Sequence, residues 1–139
     1  MTMKTYKGSC HCGAVRFEAD IDFSEGSIRC NCSICWKART WFVVVPPDRA
    51  RVLSGADAMT DYQWKAPSRS RSALHFRFCR TCGVRTVGLG DRPGEAGGFC
   101  FVSIASLDDV DPDEIAAGPL RYVDGRHDRM ETPNDTRFM

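Results

Sequence analysis

Cys79-Arg80-Thr81-Cys82-Gly83 has the form of a metal-binding knuckle. Two thiolates spaced C-x-x-C turn onto one ion while backbone N–H groups point at the sulfurs. Glycine after the second cysteine permits the tight, positive-φ backbone that follows. A structural zinc takes four ligands in a tetrahedron, so this pair needs two more. Cys10-His11-Cys12-Gly13 has the same Cys-Gly ending with one residue fewer between its cysteines. The simplest assignment is one closed zinc site from Cys10, Cys12, Cys79 and Cys82. It would tie the start of the chain to its middle and contribute folding energy outright.

Cys30-Asn31-Cys32-Ser33-Ile34-Cys35 leaves an odd three. Three protein ligands plus an exchangeable fourth position is the pattern of a catalytic zinc. Three thiolates on Zn²⁺ sum to a negative complex, a weaker electrophile than zinc on three neutral histidines. Such a soft centre suits another thiolate better than it suits water. Cys30, Cys32 and Cys35 are therefore the candidate catalytic residues, with a small thiol as substrate. Trp36, next to Cys35, is a candidate wall of the open site. Two other readings use the same residues. If Cys100 or His11 supplied a fourth ligand, the second site would close, and the chain would be a non-catalytic zinc module that binds a protein partner. If one of the three thiols were exposed with a low pKa, the cluster would be a redox switch. Alternation in extended chain points His11 away from Cys10 and Cys12. Cys100, between Phe99 and Phe101, reads as a plain buried cysteine.

Eight cysteines in 139 residues would offer no means of choosing a disulfide pairing, whereas metal binding uses their spacing directly. Met1–Ser9 has two lysines but no apolar core of a secretory signal. The expected compartment is the reducing cytoplasm, where clustered cysteines bind metal or do chemistry. The length suits a single zinc-binding domain over residues 1–139. Apolar residues at 42% and charged residues at 27% are those of a globular chain. The longest apolar run, Trp41–Pro47, is far short of the ~18 residues of a membrane span. Nineteen basic against eighteen acidic residues argue against a non-specific nucleic-acid binder.

The surrounding chain alternates with period two. Val15, Phe17 and Ala19 face one way and Arg16, Glu18 and Asp20 the other. Trp41–Val45 is a β-branched and aromatic run stopped by Pro46-Pro47. Arg51–Leu53, Leu74–Cys79, Val84–Leu89 and Phe99–Leu107 are further strand candidates. Ser33–Arg39 has room for a turn or two of helix. Asp111, Pro112 and Glu114 punctuate one short helix, which Gly118 and Pro119 stop. The expectation is a mainly β fold with little helix. Ser54–Ser72 and Gly90–Gly98 read as long connections. Lys65–Arg92 carries seven basic residues and one acid, while Phe101–Leu120 carries five acids and no base. These are either two solvated faces or a basic, anion-attracting rim beside a site.

Gly8-Ser9-Cys10-His11-Cys12-Gly13-Ala14-Val15-Arg16-Phe17, the Cys30–Cys35 cluster and Phe78-Cys79-Arg80-Thr81-Cys82-Gly83 together resemble the glutathione-dependent formaldehyde-activating enzyme family. That family also contains the domain of centromere protein V. Leu107-Asp108-Asp109 and Asp124-Gly125-Arg126 are similar to segments of its bacterial members. The likeness spans roughly residues 6–128 and leaves 129–139 as a C-terminal tail. It implies several small coiled antiparallel sheets in a tent stapled by zinc. It implies two zinc ions, a structural one on Cys10, Cys12, Cys79 and Cys82 and one at an open site on Cys30, Cys32 and Cys35. The implied activity joins formaldehyde, or another small aldehyde, to glutathione as cosubstrate, which is carbon–sulfur lyase chemistry. Arg69, Arg71, Arg77 and Arg80 would then be candidates to receive the peptide's carboxylates. Two departures stand near the expected thiol site. Trp36 replaces an arginine frequent in the family, with Lys37 and Arg39 nearby to supply charge. Val84-Arg85-Thr86-Val87 stands where an aromatic often follows the glycine.

Overall fold

The computed structural model describes residues 2–65, 74–91 and 98–139. The alternation around Phe17 builds a hairpin. β1 (Lys4–Ser9) pairs antiparallel with β2 (Arg16–Ile21), Ser9 opposite Arg16, and the first cysteine pair lies in the loop between them. β3 (Ser27–Cys30) follows, then α1 (Ser33–Ala38), β4 (Trp41–Val45) and β5 (Ala50–Ser54). Next come β6 (Met59–Trp64), β7 (Leu74–Cys79), β8 (Val87–Gly90) and β9 (Phe99–Ser103). α2 (Pro112–Ala116) and β10 (Leu120–Val123) complete the order.

The protein is mainly β, and α1 and α2 are the α-helices among the described residues. No helix there is long and apolar enough to cross a membrane. The strands form two sheets, one ordered β1-β2-β5 and one of seven strands ordered β10-β3-β4-β9-β8-β7-β6. The antiparallel expectation needs one correction. β10 runs parallel to β3, with Val123 beside Cys30. A parallel pair needs a long crossover, and here most of the chain supplies it.

Alternation gives the seven-stranded sheet two different faces. One face packs on the smaller sheet. Val43, Val45, Val87, Cys100 and Val102 meet Tyr6, Phe17, Ala19 and Ile21 there, so Cys100 is buried in the main core. The opposite face is aromatic. The Phe101 ring lies 5.2 Å from Phe76 and 6.1 Å from Phe42, centre to centre. Gly88 stands opposite Phe101 across β8 and β9. A Cβ at Gly88 would fall 2.1 Å from the Phe101 ring, so the absence of a side chain lets the ring lie on the sheet. This aromatic face is the floor of the site described below.

Several strand edges differ from the sequence reading. β8 begins at Val87, because the Val84 carbonyl is taken by the Cys79 N–H at 3.1 Å and closes the second knuckle. The Phe99–Leu107 run stops at Ser103 and turns into a 3-10 segment at Ile104–Ser106. β6 lies inside the expected Ser54–Ser72 connection. It is an edge strand with most side chains in solvent, so it lacks an apolar face to read. Residues 92–97 of the second long connection lie outside the described residues. The short late helix follows its punctuation. Asp111 accepts from the Asp113 N–H at 2.8 Å, and Glu114 accepts from the Asp111 N–H at 3.2 Å.

Candidate metal centres and active site

The two knuckles are turns of closely similar build. The Cys10 N–H donates to the Val15 carbonyl at 3.0 Å, as Cys79 does to Val84. The Gly13 N–H closes back on Cys10 at 3.1 Å, and the Gly83 N–H closes back on Cys79 at 2.7 Å. Both glycines take positive φ, +81° and +76°, which an L-residue rarely adopts. The Val15 N–H points at the Cys10 sulfur from 3.3 Å. N–H groups of Cys12 and Val84 draw the Cys82 thiol down to about 6, and the Cys82 N–H lowers Cys79 in the same way. The backbone is thus arranged to favour thiolates.

Antiparallel pairing of β6 with β7 and packing of Val52, Ala58 and Met59 bring the two knuckles together. The sulfurs of Cys10, Cys12, Cys79 and Cys82 lie within 4.8 Å of one another. Sulfurs at the corners of a tetrahedron with metal–sulfur bonds of about 2.3 Å lie about 3.8 Å apart. Cys10 and Cys12 are 3.7 Å apart, and Cys12 and Cys79 are 3.6 Å apart. All eight cysteines are free thiols. The group therefore fits one tetrahedral thiophilic ion.

The second group has a different origin. β3 delivers Cys30 at its end, Cys32 caps α1, and Cys35 lies in the first turn of that helix. Their sulfurs also lie within 4.8 Å of one another, and no fourth cysteine, histidine or carboxylate joins them among the described residues. Hydrogen bonds from Cys30 and Cys35 draw the Cys32 thiol down to about 3. The same contacts, with burial, push Cys35 far above the ordinary thiol range. Sulfurs this close together disfavour one another's ionisation, so a bound positive ion would be needed to hold all three as thiolates.

Asn31 fixes the C-x-C turn. It is buried, and its side-chain NH₂ donates to Asp124 at 2.9 Å. Its side-chain oxygen accepts from the Arg126 N–H at 2.9 Å. The Asn31 amide and then His127, 2.9 Å from the carboxylate, hold Asp124 below the usual carboxyl range. The parallel pairing of β3 and β10 sets Asn31 and Asp124 side by side as the residues that follow each strand. Sequence spacing does not reveal this partnership, and only the similarity of Asp124-Gly125-Arg126 to family members touches it. Hydrogen-bonded groups that orient the residues around a metal are worth about 10–100-fold in metal affinity. Asn31→Ala is therefore expected to weaken metal retention by the three-cysteine group by about tenfold or more. Chelator competition measures this, with the four-cysteine group unchanged as the internal control.

Cys30, Cys32 and Cys35 line an apolar cleft of about 140 Å³, walled by Phe42, Trp64, Phe76, Phe99 and Phe101, with Met130 from the tail. A larger cavity of about 450 Å³ shares Thr40, Phe42, Phe76 and Phe101 with it and carries Arg29, Arg39, Arg77 and Arg85. Of the arginines named from the sequence, Arg77 lines this larger cavity, while Arg80 is exposed and lines neither. Arg69 and Arg71 lie outside the described residues. Trp36 lines neither cavity, because the guanidinium groups of Arg39 and Arg126 lie over its ring, each at 5.5 Å. His11 is exposed and stands outside both cysteine groups. Arg85, Thr86 and Thr40 line the larger cavity without having been singled out as ligands by the sequence reading.

The fold and site define a mainly β protein with one four-cysteine and one three-cysteine group, each able to hold a metal ion. Over residues 5–123 the chain matches the model of the glutathione-dependent formaldehyde-activating enzyme family, and it belongs to that family. It is also similar to a Rhodobacter sphaeroides protein of known crystal structure, with 31% identity and a TM-score of 0.63. That match covers 82% of this chain and 98% of the other.

Proposed function

We propose that this chain is a zinc-dependent, cytoplasmic carbon–sulfur lyase that joins a small aldehyde to glutathione or a related thiol. The observation that carries the reading is the three-cysteine group, which has no fourth protein ligand among the described residues and opens into an apolar cleft. Cys10, Cys12, Cys79 and Cys82 would hold a structural zinc, and Cys30, Cys32 and Cys35 the second ion. When bound, that second zinc supplies a soft position that stabilises a substrate thiol as thiolate.

The chain's own groups do the rest. Asn31 and Asp124 keep the cysteine turn in place. The aromatic walls exclude bulk water and hold the aldehyde carbon beside the sulfur, which makes addition effectively intramolecular. Sulfur adds to the carbonyl carbon, the C=O π bond opens onto oxygen, and the thiol's proton ends on that oxygen. The product is a hemithioacetal, with the hydroxyalkyl group on sulfur, and the reverse reaction retraces the same path.

The adduct also forms unaided, so the test is exchange between formaldehyde and glutathione by NMR magnetisation transfer, with and without zinc-loaded protein. Exchange faster than the unaided background is the expected result. Background exchange in the presence of fully metal-loaded protein would end the reading.

A further inference from the structure

The larger cavity is chemically one-sided. Among the described residues four arginines line it and no Asp or Glu does. The three buried polar atoms without a hydrogen-bond partner, among the described residues, are Thr40 Oγ1, Arg85 Nη1 and Thr86 Oγ1. All three belong to residues lining this cavity. Thr86 is 2% exposed, so its hydroxyl has no water to turn to, and a valine would fill the same space without a lost hydrogen bond. Buried polar groups are nearly always paired, and several orphans around one cationic cavity indicate that a ligand completes them. Arg85 is held in place by the Phe76 ring, 5.0 Å below its guanidinium, and makes no ion pair among the described residues. Phe76 also walls the cysteine cleft, and Arg85 is within electrostatic reach of Cys35.

We propose that Arg85, Thr86 and Thr40 form an anion subsite that receives a carboxylate of the thiol substrate. Arg29, Arg39 and Arg77 raise the surrounding positive potential. The assignment rests on the reading of the three-cysteine group as a thiol site. A thiol with its sulfur at the cysteines and its carboxylate at Arg85 lies along the shared floor of Phe42, Phe76 and Phe101. A planar guanidinium pairs with carboxylate by two parallel N–H···O bonds, and a neighbouring hydroxyl donates a third. The substrate class is thus a thiol bearing a carboxylate several bonds from sulfur, and neutral thiols are excluded as good ligands.

The test is calorimetric binding to zinc-loaded wild type, Arg85→Met and Thr86→Val, with glutathione and S-methylglutathione as probes. S-Methylglutathione keeps both carboxylates but offers no thiolate, so it isolates the subsite. Wild type is expected to bind it, and Arg85→Met to weaken binding by about tenfold or more. Thr86→Val is expected to weaken binding while raising the melting temperature, two opposed effects that a purely structural threonine would not give. If glutathione binds and both variants leave S-methylglutathione affinity unchanged, the subsite is wrong and the thiol reading stands. If S-methylglutathione binding depends on Arg85 but glutathione binds no tighter, the subsite stands and the thiol reading falls. If neither peptide binds wild type, both are overturned.

Discussion

Cys79→Ser is expected to destabilise the fold severely. Cys79 is 1% exposed, ends β7 and lies 3.6 Å from Cys12 on the other knuckle. With Cys10 and Val15 it forms a small second core, against which only partly buried side chains such as Val52, Ala58 and Met59 pack. Removing one thiolate takes away much of the metal's contribution, which for structural zinc is about 10–16 kcal/mol of apparent binding energy. Even a partial loss of about 5 kcal/mol equals the whole stability of many domains. The melting midpoint of Cys79→Ser is expected to fall by about 15 °C or more, and bound metal to drop below the wild-type count. Circular dichroism melting with metal analysis measures both. A variant that melts within a few degrees of wild type would show that the knuckles are held by packing alone.

Cys35→Ser is expected to have the opposite profile, with a large effect on chemistry and a small one on folding. Cys35 lines the cleft and sits at the start of a helix of six residues, away from the main core cluster. Serine keeps the volume and the helix but removes one of three sulfurs. Formaldehyde–glutathione exchange is expected to fall by about 100-fold or more, to the unaided background, as a misplaced reacting group costs on that scale. Metal content should drop from two ions to one with only a modest change in melting. Retained exchange in Cys35→Ser would move the chemistry away from this cluster.

The readable parts of this chain were those whose physics is local. Trp41–Val45 and Leu74–Cys79 match β4 and β7 because β-branched and aromatic runs end at clear punctuation. The cysteine groups were legible because C-x-C and C-x-x-C spacing is itself the geometry of a turn onto one ion. β10 was not legible. Leu120-Arg121-Tyr122-Val123 has little pattern of its own and becomes a strand by pairing with β3 across most of the chain. β6 was missed because an exposed edge leaves no apolar stripe.

The same division runs through the site. The cysteine clusters follow from spacing, but Asp124 beside Asn31 depends on strand order. Arg77 could be suspected from the charge run, whereas Arg29 and Arg39 reach the same cavity from other elements. Arg85 and Thr86 stand out because each buries a polar atom without a partner among the described residues, which no residue pattern reveals. Trp36 looked like a wall because it follows Cys35, yet α1 carries it to Arg39 and Arg126 instead.

The most direct test is X-ray absorption at the zinc edge of fully loaded protein, before and after saturation with glutathione. One closed group of four sulfurs and one open group of three predict an average of about 3.5 sulfur neighbours per ion, rising to about four with the thiol bound. Four protein ligands at both ions before any thiol is added, or no change on its addition, would contradict the open thiol site.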